Sequence, residues 1–133
     1  VYNALPSDLR SVIIDTTTIS GHGSRSGETN FTSTDKLYLL STSEIWAQGS
    51  SNTISYDTAR DVTRQLDYYK NLGTSTSNYS GAIKKDGTIT SDWWLRSARS
   101  SSGGSFYYVS ANGSSNSSTA ISTKGVSPAF RIG

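Results

Sequence analysis

The stretch from Ser97 to Thr123 places the strongest limit on how this chain folds, because it consists mainly of small polar residues. Eleven of its 27 residues are serine, and Arg99 carries its single charge. Sequence of this kind cannot bury enough apolar surface to become ordered alone. It nevertheless connects the tryptophan-rich segment Trp93 to Arg96 with the apolar segment Val126 to Ile132. We therefore expect a scaffolded surface, and its Tyr, Ser, Gly and Asn content is typical of contact loops.

The composition of the whole chain limits the core and excludes several classes of function. At 133 residues and 33% apolar residues, the chain is expected to form one domain with a core of few large side chains. The lack of cysteine excludes disulfides and thiolate chemistry. A net charge of +2 does not predict a nucleic-acid partner, and no apolar run is long enough to span a membrane. Because the chain begins with Val1 and lacks methionine, we expect the C-terminal part of a longer protein.

Helix signals are concentrated in the first half of the chain. Leu5 to Asp8 opens a short amphipathic helix, and Ser41 and Glu44 have the spacing of a capping box. The longest predicted helix, Ala59 to Leu72, has an apolar stripe and is followed by a glycine. Lys36 to Leu40 is predicted to be a buried strand.

Strand signals dominate the second half. Trp93 to Ser97 and Ser105 to Ala111 are predicted strands, and Asn112-Gly113 indicates a hairpin turn to a return strand, Ser114 to Thr123. Val126 to Ile132 is expected to close the sheet. Early helices and late strands predict an α+β fold, with short helices on a small, mostly antiparallel, twisted sheet and extensive loops.

Three segments carry a resemblance to a known family. They are Asp35 to Trp46 (DKLYLLSTSEIW), Trp93 to Ser97 (WWLRS) and Gly125 to Ile132 (GVSPAFRI). In this order they resemble bacterial and phage domains with a C-type-lectin-like fold of the formylglycine-generating-enzyme type, over about Asp35 to Gly133. The resemblance implies a single C-type-lectin-like ligand-binding domain over residues 1–133.

The end of the chain also resembles a variable protein of a diversity-generating retroelement. In such a system, adenines of a template become random bases in the coding copy. An asparagine codon treated in this way yields Asn, Ser, Tyr, Gly, Thr, Ala, Ile, Asp or His, among others, and the Ser97 to Thr123 stretch is drawn mainly from these types. The resemblance therefore implies that this stretch is diversified.

From their positions in the resembling segments, residues are assigned either to the scaffold or to the displayed surface. The scaffold would include Phe106, Val109, Gly113, Ala120, Gly125, Val126 and Phe130. The displayed, ligand-binding positions would be Ser101, Ser102, Ser105, Tyr107, Tyr108, Ser110, Asn112, Ser115, Ser117, Ser118, Ile121 and Thr123. Strand alternation agrees only in part, since Phe106 and Tyr108 share one face while Tyr107 and Val109 share the other. A bulge or a loop is needed if both tyrosines are displayed.

Large and charged residues near the stretch have structural interpretations. At least one of Trp93 and Trp94 is expected in the core, although such a pair is also a candidate platform for stacking a sugar. Arg96 is expected to pair with a buried carboxylate such as Asp92 or Glu44.

Support for metal or cofactor chemistry is weak. His22 is the only histidine, and without cysteine it does not predict a zinc site or a catalytic triad. All ten acidic residues lie at or before Asp92, so a structural calcium site stays open but is not predicted. The Glu-Pro-Asn and Trp-Asn-Asp triplets of calcium-dependent lectins do not occur, which disfavours a calcium-mediated sugar site. No cofactor is predicted.

Two functional hypotheses follow. The first is a non-enzymatic ligand-binding module with a diversified surface, whose partner is a protein or glycan on a cell surface. The second is a fixed carbohydrate-binding or adhesion domain of a bacterial surface protein with the same fold. An enzyme like the namesake of the fold is disfavoured, because that chemistry requires copper-binding cysteines. Both hypotheses place the protein at the cell surface, secreted or on a virion, without nucleic-acid binding or direct membrane insertion.

Overall fold

The computed structural model describes residues 1–48, 59 and 62–133. Within them the chain is α+β, with short helices and small antiparallel sheets, as the sequence predicts. The helices are α1 (Ser7–Val12), α2 (Thr42–Ile45) and α3 (Asp67–Asn71). The strands are β1 (Ile13–Ile14), β2 (Thr16–Ser20), β3 (Phe31–Asp35), β4 (Lys84–Asp86), β5 (Ile89–Ser91), β6 (Trp93–Ala98), β7 (Ser105–Val109), β8 (Ser115–Thr119) and β9 (Arg131–Ile132). Among the helices of these described ranges, none has the length and apolarity needed to cross a membrane.

The capping box predicted for α2 is present. The Ser41 hydroxyl accepts a hydrogen bond from the Glu44 backbone N–H at 3.3 Å, and the Glu44 carboxylate accepts one from the Ser41 N–H at 2.8 Å. This reciprocal pair satisfies two backbone donors that a helix start leaves without partners. The helix start predicted near Leu5 to Asp8 is confirmed as well, since α1 begins directly after Pro6.

A three-stranded antiparallel sheet, in the order β6–β7–β8, contains the Ser/Tyr-rich segment. Burial alternates along β6, with Trp93, Leu95 and Ser97 buried. In β7 the buried residues are Tyr107 and Val109. Since Val109 lies opposite Trp93 in the ladder, these five side chains form one inner face that covers the core.

The core is built around this inner face. Its buried apolar residues are Leu40, Ile45, Trp46, Tyr69, Ala82, Trp93, Leu95, Tyr107 and Val109. The Trp46 indole donates a hydrogen bond from Nε1 to the carbonyl oxygen of Gly113 at 3.2 Å. Gly113 has φ +91°, and an added Cβ there would overlap the carbonyl oxygen of Tyr79. The β7–β8 hairpin therefore rests directly on the core and requires glycine at this position.

The remaining strands form two-stranded units in the described ranges. β1 pairs with β9, so that Ile13 lies opposite Ile132 and the first and last strands are neighbours. β2 and β3 form an antiparallel pair, and β4 and β5 form another. Gly87, with φ +62°, lies in the turn between β4 and β5.

The predicted strand Lys36 to Leu40 is not part of a regular sheet. The segment makes an isolated bridge, in which the backbones of Tyr38 and Ala129 exchange hydrogen bonds of 3.0 and 2.7 Å. The next carbonyl groups accept from Arg96 instead. Its side chain donates to Leu39 at 2.8 Å, and its backbone N–H donates to Leu40 at 3.0 Å. These bonds occupy the groups that a ladder would use.

The predicted helix Ala59 to Leu72 is largely wrong. The helix in this region is α3, which begins only at Asp67, and positions 60 and 61 lie outside the described residues. Tertiary hydrogen bonds explain the difference. Leu66 N–H donates to the Glu44 carbonyl at 2.9 Å, and Gln65 Nε2 donates to the Ile45 carbonyl at 2.8 Å. The segment before α3 is thus held against α2 rather than in its own helical turn.

The predicted closing strand is also much shorter than Val126 to Ile132. Its regular part is Arg131–Ile132, and this part pairs with β1 instead of extending the three-stranded sheet. Pro128 lacks a backbone N–H, so it cannot donate to a ladder and interrupts the segment. Gly125 remains beside β6, where its carbonyl accepts from Trp94 N–H at 3.0 Å.

Candidate functional site

The face of the β6–β8 sheet that points away from the core is the candidate functional site. The outer face is formed by Trp94, Arg96, Ala98, Phe106, Tyr108, Asn116 and Ser118. These residues are at least partly accessible, Arg96 least of all, whereas the residues that alternate with them in β6 are buried. Large aromatic rings on the open side of a sheet are informative, because a face that contacts only water has no need of them.

Two rings of the outer face are held in place by each other and by a lysine. The ring centroids of Trp94 and Tyr108 lie 6.0 Å apart, with an interplanar angle of 78°. The Lys124 ammonium lies 3.6 Å from the Tyr108 centroid and 5.6 Å from that of Trp94, which is cation–π geometry. The same ammonium pairs with the Asp92 carboxylate at 3.0 Å. The rings are therefore preorganised, so little side-chain entropy remains to be lost on binding.

A cleft lies between the outer face and the β2–β3 pair. Two cavities, of about 370 Å³ and about 380 Å³, share the residues Phe31, Arg96 and Phe106. The first is completed mainly by apolar groups, including Leu39, Trp94 and Ala120; the second by loop residues, including His22, Glu28 and Ser102. Phe31 is 58% exposed and Phe106 is 38% exposed. We call this feature the Phe31–Phe106 cleft; each cavity has the size of a small-ligand site.

Arg96 lines the cleft, but its N–H groups are already used. The guanidinium makes a bidentate pair with Glu44, with N–O distances of 2.6 and 2.8 Å. It also donates to the Leu39 carbonyl at 2.8 Å and to the Ile19 carbonyl at 3.2 and 3.3 Å. The prediction that Arg96 pairs with a buried carboxylate is confirmed. Arg96 thus connects β2, α2 and β6 and fixes the wall of the cleft.

The family of the chain is shown by a match along its full length. A family model described as a domain of unknown function, DUF6273, matches residues 1–133. The chain belongs to the DUF6273 family. Neither the comparison with curated proteins nor that with solved structures finds a match.

Of the adjacent residues Tyr107 and Tyr108, the DUF6273 domain displays only Tyr108. The structure corrects the prediction that Tyr107 is displayed, because Tyr107 is 3% exposed and belongs to the core. Consecutive residues of a strand point to opposite faces. The β7–β8 register is continuous here, with Tyr107 opposite Ser117 and Tyr108 opposite Asn116, so no bulge brings both rings to one face.

Two predicted serines of β8 also lie on the inner side of the sheet. Ser115 is opposite Val109 and Ser117 is opposite Tyr107, and both partners are core residues. Ser115 Oγ is buried, and Ser117 Oγ accepts a hydrogen bond from Arg99 Nη1 at 3.1 Å. These two positions are thus separated from the outer face.

The other predicted display positions divide between the ends of the sheet. Ser110 and Asn112 lie in the β7–β8 hairpin; Ser101, Ser102 and Ser105 lie in or beside the β6–β7 loop; Ser118, Ile121 and Thr123 lie at or after the end of β8. The two ends of β7 are about 13 Å apart for a five-residue strand. Ser102 and Ser105 line the Phe31–Phe106 cleft. The predicted set therefore spreads along the sheet instead of forming one patch around Tyr108.

Several of the displayed hydroxyls bond to neighbouring side chains. Ser110 Oγ donates to Asn112 Oδ1 at 2.6 Å, and Ser102 Oγ donates to Ser105 Oγ at 3.0 Å. A hydroxyl both donates and accepts and can rotate. These groups are suited to exchange an internal partner for a ligand.

The predicted scaffold of the DUF6273 domain is confirmed only in part. Val109 and Gly113 are buried, whereas Phe106, Ala120, Gly125, Val126 and Phe130 are exposed. Sequence reasoning also missed Phe31, Asn116 and Lys124 as parts of the site. The strand alternation set by Val109 would have placed Phe106 outside. Phe31, a single large apolar residue in the polar segment before Lys36, was a further signal.

Metal-ligating residues are dispersed. In residues 1–48, 59 and 62–133, no three His, Cys, Asp or Glu residues form a group that could hold a metal ion. His22 lies in the cleft wall, where its Nδ1 is 2.7 Å from the Gly23 carbonyl oxygen. Its backbone N–H donates to the Asn30 side chain at 3.2 Å. These contacts give His22 a role in shaping the loop between β2 and β3.

Proposed function

We propose that this DUF6273 domain is a non-enzymatic ligand-binding module whose partner is a protein or glycan on a cell surface. The observation that carries the proposal is the rigid Trp94–Tyr108 pair on an open sheet face beside the Phe31–Phe106 cleft. Aromatic rings provide a large contact area with few rotatable bonds, and small polar side chains around them adapt their hydrogen bonds.

The geometry favours a ligand that presents an apolar group beside a polar surface. The apolar group would enter between Phe31 and Phe106, whose rings are both partly exposed. Polar groups of the ligand would meet Asn116 and Ser118 on the outer face. Because contact rings that are buried on binding carry most of the affinity, Tyr108 is the expected hot spot.

The same proposal includes the fold and the origin of the surface. We propose a C-type-lectin-like fold of the formylglycine-generating-enzyme type, with a Ser97 to Thr123 stretch diversified by a retroelement. Support comes from the segments Trp93 to Ser97 and Gly125 to Ile132 and from the α+β architecture. Asn112 and Ile121 are exposed and lie outside regular strands, and positions of this kind generally tolerate substitution better than core positions. The protein would act at a cell surface, in secreted form or on a virion.

The diversification is tested at the level of DNA. The proposal expects a near-copy of the sequence that encodes Ser97 to Thr123, differing at adenines and lying near a reverse transcriptase gene. A genome that encodes this protein and has no such copy would exclude diversification, while leaving ligand binding open.

Ligand binding is tested with arrays of glycans and of cell-surface protein ectodomains. A ligand found in this way should lose at least about tenfold in affinity with Tyr108→Ala, as expected for a hot spot. Ile89→Ala is a matched control, because Ile89 is an exposed apolar residue on β5, outside the cleft. No ligand on either array, or equal losses in both variants, would contradict the proposed site.

A fixed carbohydrate-binding or adhesion domain is the second candidate, and one observation favours it. Trp94 is half-buried and lines the apolar cavity, as does Phe106, so ring faces are available for stacking against a sugar. This candidate expects binding on the glycan array and no adenine-substituted copy of the coding segment. A purely protein ligand would count against it.

A further inference from the structure

A further cavity, separate from the two that form the Phe31–Phe106 cleft, lies outside the Ser97 to Thr123 stretch. It has a volume of about 570 Å³ and is bounded by the Tyr38 segment, α3, β4 and the C-terminal segment. This volume is within the range of sites for small organic ligands. The cavity shares no lining residue with the Phe31–Phe106 cleft. It is therefore a separate candidate site, called the Lys84 pocket below.

The walls of the Lys84 pocket are mainly aromatic and aliphatic. Tyr38, Tyr68, Tyr69 and Phe130 contribute rings, and Leu66 adds an aliphatic side chain. The Tyr68 and Tyr69 rings meet edge to face, with centroids 5.1 Å apart. Burial raises the pKa of Tyr69 to about 12, so its hydroxyl stays neutral even above pH 10 and adds no negative charge to the pocket. Such walls fit the body of a ring or an aliphatic chain.

Two cations line the same pocket. They are Lys84, the first residue of β4, and Arg131, the first residue of β9. The described lining residues include no Asp or Glu, and neither cation is in an ion pair with another described residue. Lys84 also borders a neighbouring cavity, where its ammonium lies 4.8 Å from the centroid of the buried Trp93 ring.

The charge of Lys84 is poorly compensated. Its side chain is half-buried, and this desolvation lowers the pKa of its ammonium group. A cation removed from water without a carboxylate partner costs free energy, and the contact with a ring face offsets only part of that cost. An anion in the pocket would supply the missing partner.

We propose that the Lys84 pocket binds a small organic carboxylate, whose anionic group contacts Lys84 and Arg131 while its ring or aliphatic body packs on the tyrosine walls. The two cations would recognise the carboxylate of such a molecule, and the apolar walls would recognise its ring or aliphatic body. An acidic sugar and an aromatic acid share this chemistry. The inference is independent of the proposed function, because the two sites share no residue.

Isothermal titration of the intact chain tests the site with named probes. Glucuronate represents the acidic sugars and phenylacetate the aromatic acids; methyl glucoside and phenylacetamide are their neutral counterparts. We expect at least one acid to bind and its neutral counterpart to bind at least about tenfold more weakly, since a hydrogen bond to a charged group is lost. The acid that binds more tightly shows whether the pocket prefers acidic sugars or aromatic acids. No binding by either acid, or equal binding by inorganic phosphate, would overturn the proposal.

Adjacent lysines provide matched variants. Lys84→Gln should weaken binding of the acid at least about tenfold, whereas Lys85→Gln should leave it unchanged, because Lys85 is exposed and does not line this pocket. Arg131→Gln is a second test that does not involve the core, since Arg131 is exposed. Amide chemical-shift changes on binding should be concentrated at residues 83–84 and 129–131. Equal effects of Lys84→Gln and Lys85→Gln, together with no effect of Arg131→Gln, would exclude the site.

Discussion

Arg96 and Glu44 form a bidentate ion pair that connects the three-stranded sheet to the capped helix α2. The two N–O distances are 2.6 and 2.8 Å, and the side chains are only 9% and 13% exposed. Glu44 Oε2 also accepts the Ser41 N–H at 2.8 Å, so one carboxylate completes both the helix cap and the ion pair. This pair stands directly behind the cleft that is proposed to bind ligand.

Replacing Arg96 should destabilise the domain strongly. Arg96→Met leaves the Glu44 carboxylate buried without its cation, which should cost about 3–5 kcal/mol in the free energy of unfolding. Arg96→Lys should not restore stability, because an ammonium cannot form the bidentate pair. Urea unfolding measures both effects.

An exposed ion pair provides the control for this prediction. Arg64 and Asp67 are 3.5 Å apart, with side chains 82% and 71% exposed. Arg64→Met should cost less than about 1 kcal/mol. If Arg96→Met costs no more than Arg64→Met, the pair with Glu44 does not support the fold.

Truncation of the adjacent tyrosines Tyr107 and Tyr108 should destabilise the domain by very different amounts. Tyr107→Ala removes a core ring and should cost about 3–5 kcal/mol in unfolding free energy. Tyr108→Ala removes a half-buried ring from the outer face and should cost about 1 kcal/mol, chiefly through its contacts with Trp94 and Lys124. Thermal and urea unfolding distinguish the two. Equal losses would mean that both rings belong to the core.

Two glycines with positive φ allow crowding to be separated from backbone strain. Gly87→Ala should cost about 1–2 kcal/mol, because φ +62° strains an L-residue while the space around it is open. Gly113→Ala adds a collision with the backbone of Tyr79 and should cost about 2 kcal/mol more than Gly87→Ala. Comparison of the two unfolding free energies checks this. Equal costs would show that the β7–β8 hairpin has room to shift.

Local signals were sufficient for some elements. The Ser41 and Glu44 spacing predicts the α2 cap because both partners lie within one turn. Trp93 to Ser97 was predicted as a strand and is confirmed by β6, whose alternating burial places Trp93, one of the two tryptophans considered for the core, on the buried side. Gly73, the glycine predicted to follow the helix, has φ +67° and lies just after the C-cap of α3.

Elements that depend on distant partners were not predictable. The Leu66 N–H donates to the Glu44 carbonyl group instead of to a carbonyl within the predicted helix. The Leu39 carbonyl accepts from the Arg96 guanidinium instead of from a neighbouring strand. Neither partner is near in sequence, and helix and strand propensities depend only on local residues, so they do not predict these contacts. In the site, by contrast, strand alternation from the predicted scaffold residue Val109 indicates that Tyr107 is buried, and the error came from the resemblance, which assigned both tyrosines to displayed positions.

Tyr69 should make the stability of the domain fall at high pH. Burial raises its pKa from 10.0 to about 12. Between these values the unfolded chain loses the phenolic proton while the folded chain keeps it, so the free energy of unfolding decreases as pH rises. The contribution is complete below pH 10 and is lost by about pH 12, with a total of about 2–3 kcal/mol.

Tyr69→Phe removes this titration and leaves the ring in the core. Unfolding free energies measured in urea at pH 8 and at about pH 11.5 should show a smaller decline for Tyr69→Phe than for the unmodified chain. Tyr108→Phe is the matched control, because it also removes one tyrosine hydroxyl but keeps Tyr69, so the decline that Tyr69 causes should remain. The interpretation fails if Tyr69→Phe declines as steeply as Tyr108→Phe, because the Tyr69 hydroxyl would then ionise as readily in the folded chain as in the unfolded one.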